Sequence, residues 1–262
     1  VKKKITINYC ALLKKKMKKS LIGSKFFSKE EQKNFNVNSS DYNPAHIFNL
    51  KKNQFNTHKP VVHGINILLT SLDLYLQKTK IKSATIDCSF LKPIYLNKIV
   101  KFYKNKKNKN ENFIEIKSNG LTCAKIFISK SEKYAEKRSL KKIKFTILKK
   151  KNILYTNPLN LVNKTFKINL DKKKHIQNYP SVKKNFGELF YKSMLAVSFF
   201  IGMVCPGKYA IFTNLKFKMR KNEKKKYLLF NVKHYDSRIH LFNILASGFI
   251  KIDIKSFYKK AN

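Results

Sequence analysis

The sequence predicts an α+β fold in which two antiparallel sheets each wrap around one central apolar helix. Two observations carry that expectation. A long apolar helix followed by a run of β-rich segments occurs twice along the chain, and an isolated helix of this kind hides its apolar face only by packing on a sheet. Between the two occurrences, from about Lys149 to Pro158, Lys-Lys-Lys-Asn and then Thr-Asn-Pro interrupt the pattern and read as a linker. The expected division is therefore 1–148 and 149–262, a repeat of element order and not of residues.

In the first half, Lys4 to Cys10 alternates enough for a strand. Ser28-Lys29-Glu30-Glu31 reads as a helix start, with Ser at the cap and Glu three positions on, and the helix is expected to reach about Asn36. A loop follows from His46 to Pro60. Gly64 opens a helix to about Gln77, with Ile65, Leu68, Leu72, Tyr75 and Leu76 on one face. Strands are expected at Lys82–Leu91, Ile99–Lys104, Asn112–Lys117 and Leu121–Lys130, with Asn119-Gly120 as a tight turn and Lys104–Glu111 as a charged hairpin tip. The second half begins with a strand at Lys164–Leu170. An apolar helix at about Leu189–Val204 follows, stopped by Cys205-Pro206-Gly207. Strands then run at Ala210–Met219, Lys226–His234 and Arg238–Ile254, turning at Lys221-Asn222 and Asp236-Ser237.

Composition narrows the function. The 262 residues suffice for a large core, and 43% apolar content with 21 Phe places the chain among globular proteins. Cys10, Cys88, Cys123 and Cys205 lie far apart, which argues against a disulfide scaffold or a zinc site and fits a reducing, cytoplasmic setting. The longest apolar run, Met194–Cys205, is too short to span a bilayer, and the basic N-terminal stretch lacks the continuous apolar segment of a secretory signal. The formal charge is +44, yet only Arg138, Arg220 and Arg238 among the 58 basic residues are arginine. Base reading favours Arg, so Lys spread along the whole chain points to a diffuse positive field that draws acidic or phosphate-bearing partners, and not to specific nucleic-acid recognition.

The chemistry concentrates in Ser39-Ser40-Asp41-Tyr42-Asn43-Pro44-Ala45-His46 and in His63-Gly64. A carboxylate, an amide and an imidazole surround a rigid Pro turn, close to a helix start with unpaired N–H groups. That is the equipment for adding or removing water beside a carbonyl. Asp41 and His46 are the expected acid/base pair. Asn43 is expected to fix the loop or orient the water. The Gly64 N–H is expected to stabilise negative charge on a substrate oxygen, and His63 to pack or hydrogen-bond near the helix start. Asn66 reads as a core hydrogen-bonding residue. His58, His234 and His240 read as surface, Asp171 with His175 as a solvated loop, and the lysines at 14–19 and 104–109 as solvated faces. Gly187 is a weak counterpart of Gly64 in the second half.

These residues resemble the MaoC-like hydratase/dehydratase group of the hotdog-fold superfamily, which includes the R-specific enoyl-CoA hydratases. The resemblance covers about Phe26 to Ser129. Phe27-Ser28-Lys29-Glu30-Glu31 is similar to the family's lead-in helix. Phe35, Ser39, Asp41, Asn43, Pro44 and His46 are similar to its hydratase motif, Pro60-Val61-Val62-His63-Gly64 to the start of its central helix, and Phe90-Leu91-Lys92-Pro93 to the strand leading out. Two positions depart from the pattern: Ser40 stands where the family has Gly, and Leu96-Asn97-Lys98 replaces Pro-Gly-Asp.

The resemblance implies a double hotdog, with the second half a degenerate unit. It implies reversible hydration of a trans-2-enoyl thioester to an (R)-3-hydroxyacyl thioester carried on coenzyme A or on the phosphopantetheine of an acyl carrier protein. No further cofactor and no metal is expected. The acyl chain is expected in an apolar tunnel between the halves, which form a pseudo-dimer within one chain; association of two chains into a homodimer stays open. Two alternatives remain open at this point, a hotdog acyl-thioester hydrolase and a catalytically silent acyl- or polyanion-binding protein.

Overall fold

The structure, a computed structural model, describes residues 19–47, 59–81, 84–106, 111–130, 144–148, 157–170, 178–208, 210–218 and 225–258. The strand expected at Lys4–Cys10, most of the linker, His58, Asp171, His175 and much of both lysine clusters lie outside these residues.

The first half contains β1 (Lys19–Phe26), α1 (Lys29–Ser39), α2 (Pro44–Ile47), α3 (Gly64–Gln77), β2 (Ala84–Phe90), β3 (Ile99–Lys106), β4 (Glu111–Ser118) and β5 (Leu121–Lys130). Then come β6 (Thr146–Ile147), a 3-10 turn at Pro158–Leu161 and β7 (Thr165–Asn169). The rest comprises α4 (Pro180–Phe186), α5 (Glu188–Phe199), a π turn at Phe200–Val204, β8 (Ala210–Lys218), β9 (Tyr227–Asp236), β10 (Leu241–Gly248) and β11 (Lys251–Tyr258).

The local reasons are chemical. Ser28 accepts from Glu31 N while the Glu31 side chain returns to the Ser28 N–H, a reciprocal cap that fixes the start of α1. Asn119 and Gly120 both take positive φ between β4 and β5. Ser40 and Asn97, the two departures from the family pattern, both sit at positive φ, 58° and 57°.

The described strands form one sheet of 11 strands in the order β1-β3-β4-β5-β2-β8-β11-β10-β9-β7-β6. The expectation of two sheets holds for the halves, but their edges are joined: β2 pairs antiparallel with β8, from Thr85 opposite Lys218 to Ser89 opposite Asn214. Asn214 reinforces the seam by donating to Asp87 Oδ1 at 2.8 Å and to the Cys88 carbonyl at 3.2 Å. The strand expected as Arg238–Ile254 is two strands. Ser247-Gly248 turns the chain, and the apolar Phe249-Ile250 that follows, with Ile250 buried, reads as a continuation of the strand. β6, just before residue 148, pairs in parallel with β7.

α3 and α5 are the central helices. Every residue from Ile65 to Leu72 is buried, as is every residue from Ser193 to Phe199. Each fully buried Leu, Ile or Phe contributes about 1.5–3 kcal/mol of transfer free energy, so the two helices anchor the core. Polar clasps tie α3 to the second half. Asp73 Oδ1 accepts from the Ser181 and Val182 N–H groups at the start of α4, and Tyr179 donates to Asn66 Oδ1 at 2.6 Å. Asn66, which also accepts from Thr70, is thus a core residue as expected. No single described helix is long and apolar enough to cross a membrane.

Candidate active site

α1 delivers the chain to Asp41 through a left-handed turn at Ser40. The Ser39 hydroxyl donates to the Phe35 carbonyl at 2.7 Å and accepts from the Asp41 N–H at 3.2 Å, so the helix end and the loop share one clasp. The Asp41 carboxylate accepts from the Asn43 N–H, and Asn43 Oδ1 accepts from the Ala45 N–H at 3.0 Å. These side-chain-to-backbone bonds are Asx turns, and they present His46 on the short helix α2.

Asp41, His46 and His63 come together, with a ligand atom of each within 4.8 Å of the others. His46 Nδ1 lies 2.7 Å from the Val61 carbonyl. A carbonyl only accepts, so Nδ1 carries the proton and Nε2 keeps its lone pair. Gln32 donates to the same carbonyl at 3.0 Å and steadies the arrangement. His63 is more central than expected: its ring stacks on His46, and its Nε2 lies 3.3 Å from the Asp41 carbonyl and 3.5 Å from Asp41 Oδ2. His63 Nδ1 is buried with no hydrogen-bond partner.

Burial sets the protonation states. Asp41 is 2% exposed, and its pKa is pushed up to about 7 because burial disfavours the carboxylate, although hydrogen bonds from Ser198 and the Asn43 N–H pull the other way. Burial holds His46 down at about 4 against the bond to Val61, and it holds His63 well below the ordinary histidine value, helped by the neighbouring His46. Both imidazoles are therefore uncharged at neutral pH. The three side chains are a metal-ligand set by type, but their geometry does not suit one. Rings with centroids 3.6 Å apart and planes inclined by 27° do not aim in-plane lone pairs at one ion about 2 Å away.

Asn43 serves the loop. Its amide donates to the carbonyls of Gly202 and Gly207, at 3.3 and 3.2 Å, and so grips the end of the second half's helix. Gly64 is the first residue of α3, and the ring of Phe90 lies over it; an added Cβ would meet that ring at 3.1 Å. The groove of about 680 Å³ lined by Asp87, Asn214, Lys216, Lys233 and Asp253 lies away from this cluster. His240 is bonded to the Tyr235 hydroxyl at the exposed β9–β10 turn, as its surface reading requires.

Three residues of the site escaped the sequence reading. Gln32 carried a usable signal: with Phe35, Asn36 and Ser39 it makes one buried face of α1 unusually polar. Ser198 lies inside the apolar run of α5, where the neighbouring residues give no sign of its partner. Phe90 was read only as part of a strand.

No protein-family model matches the chain, and no curated protein matches it in sequence. Solved structures do match in shape. The dehydratase domain of a mycocerosic acid synthase-like polyketide synthase superposes with a TM-score of 0.53 at 8% identity, covering 95% of this chain and 95% of that domain. A MaoC-like dehydratase gives 0.50 at 8% identity over 92% of this chain and 97% of its own. A tesB protein of Mycobacterium avium subspecies paratuberculosis gives 0.50 at 7% identity, covering 76% and 88%. Identity this low speaks for architecture, and on that ground the chain is a double-hotdog protein.

Proposed function

We propose that the protein hydrates trans-2-enoyl thioesters reversibly to (R)-3-hydroxyacyl thioesters, with Asp41 and His46 as the catalytic pair. The observation that carries this reading is the assembly of one carboxyl and one imidazole beside the N-terminus of α3, with the His46 Nε2 lone pair left available by the bond from Nδ1 to Val61.

A water held between the two groups donates one hydrogen bond to His46 Nε2 and offers its other proton to Asp41. A general base works best with a pKa near the operating pH, and Asp41 is tuned there by burial. As the water oxygen bonds to the β-carbon, its proton passes to Asp41 and the α-carbon to β-carbon double-bond electrons move toward the thioester. The α-carbon then takes a proton back from Asp41, so H and OH add across the double bond and the carboxylate is regenerated. Dehydration runs the same steps backward. Negative charge building on the thioester oxygen is met by the Gly64 N–H at the positive end of α3; one such donor typically accounts for about 3–4 kcal/mol of barrier. No metal enters this scheme, and coenzyme A or phosphopantetheine enters only as the carrier of the substrate.

The test is a hydration assay with short- to medium-chain enoyl thioesters on both carriers, following loss of the conjugated double bond. Asp41→Asn and His46→Ala should each abolish turnover while the circular dichroism spectrum stays native. Retained activity in both variants rejects the assignment. Release of free thiol without hydration would assign the hydrolase reading instead.

A further inference from the structure

The second half touches the Asp41 loop through directed polar contacts. The Ser198 hydroxyl, near the end of α5, donates to Asp41 Oδ2 at 2.7 Å. Gly202, in the π turn, lies so close to the Asp41 carboxylate that an added Cβ would overlap it. The π turn closes with the Cys205 N–H on the Phe200 carbonyl at 2.8 Å, and the Gly202 carbonyl accepts from the Asn43 amide. The Tyr42 N–H points at Met203 Sδ, 3.1 Å away. Such turns recur where a helix is locally widened at a functional site.

We propose that the second half completes the site: Ser198 is the positioning residue that holds the Asp41 carboxyl for proton transfer, and Gly202 supplies the space in which it sits. The proposal rests on the acid/base reading of Asp41 and His46.

Helix serines commonly satisfy their hydroxyl on the carbonyl one turn back. Ser71 does so with Ile67 at 2.6 Å, and Ser193 does so with Leu189 at 2.7 Å. Ser198 instead reaches across the junction between the halves. With Ser198 on Oδ2 and the Asn43 N–H on Oδ1, each carboxyl oxygen has a fixed donor, so rotation about the side chain is stopped. The titratable groups facing Asp41 are His63 at 3.5 Å and, beyond it in the stack, His46; α5 presents the Ser198 hydroxyl and no charged group among the described contacts. A half that lacks the Asp–Asn–Pro–His pattern is thereby needed for the one in the first half to work.

The experiment uses the full chain with 13C-labelled aspartate carboxyls, the Asp41 signal being assigned from Asp41→Asn. Ser198→Ala removes a donor that favours the ionised form. The Asp41 midpoint should rise by about one pH unit, and kcat should fall about tenfold with KM held. Ser198→Thr keeps the hydroxyl and should restore both. Ser198→Cys, a similar volume with a weak donor, should fall between. An Asp41 midpoint unmoved in folded Ser198→Ala overturns the proposal. The titration reads Asp41 directly, so a moved midpoint in a chain inert toward every enoyl thioester would remove the hydration reading and leave the hold of Ser198 on Asp41 standing.

Discussion

The imidazoles of His46 and His63 stack with centroids 3.6 Å apart, which makes each ring a poor neighbour for a proton on the other. Burial already keeps both uncharged, His46 down to about 4 against an ordinary 6.5. The unfolded chain takes up protons on both rings near pH 6.5, and the folded chain does not. Stability from these groups is full above that pH and is lost as pH falls toward 4, by about 3 kcal/mol for His46 alone. Urea unfolding near pH 7 and near pH 4.5 should show a smaller acid loss in His63→Gln than in the unsubstituted protein. Equal losses would mean that the folded state lets protons reach the rings freely.

Asp41 has the opposite sign. Its pKa rises from 3.8 to about 7 on folding, so the folded chain keeps a proton that the unfolded chain gives up. Stability from this group is full below pH 3.8 and declines as pH climbs to 7, by up to about 4 kcal/mol. Asn cannot ionise. Asp41→Asn should therefore gain stability relative to the parent as pH is raised from about 4 to about 8, read by denaturant titration. The three groups together place a stability maximum at about pH 7, where the protons gained by the unfolded histidines balance the one kept by folded Asp41.

Ser40 occupies left-handed backbone at φ 58°. A side chain costs about 1–2 kcal/mol there, partly offset by the chain entropy glycine loses on folding. Ser40→Gly should raise the melting temperature, with a net gain of about 0.5–1 kcal/mol, and should leave the proposed hydration intact. An unchanged or lowered melting temperature would mean that the Ser40 side chain contributes something its geometry does not reveal.

Gly202→Ala should destabilise the chain by about 1–3 kcal/mol, because the new methyl meets a carboxylate pinned from two sides. Shortening Asp41 to Ala makes room for it. A double-mutant cycle between the two positions should give a coupling energy above about 0.5 kcal/mol. Strict additivity would separate the π turn from the Asp41 loop.

Much of this architecture was legible in the residues. The Ser28/Glu31 capping pair fixed one helix start, Gly64 another, and Asn119-Gly120 a hairpin, because each of these acts through neighbours in the chain. The Asp41, Asn43 and His46 loop was legible for the same reason. What was missed acts at long range or without clear punctuation. β1 pairs with β3 over a strand that shows no clean alternation of burial. The β10–β11 turn carries one mark, Ser247-Gly248, and the apolar pair after it, with Ile250 buried, masks the break. The partner of Asp41 is Ser198, 157 positions away, and the β2–β8 seam is an edge-to-edge pairing that no local pattern encodes.

That seam has a consequence for cutting the molecule in two. β2 and β8 each satisfy the other's backbone along one rim, so a fragment holding either strand alone would present bare donors and acceptors to water and to its own copies. Produced separately, the two fragments should clump; produced together, they should find one another and rejoin along the same five registered pairs, Thr85 with Lys218 through Ser89 with Asn214.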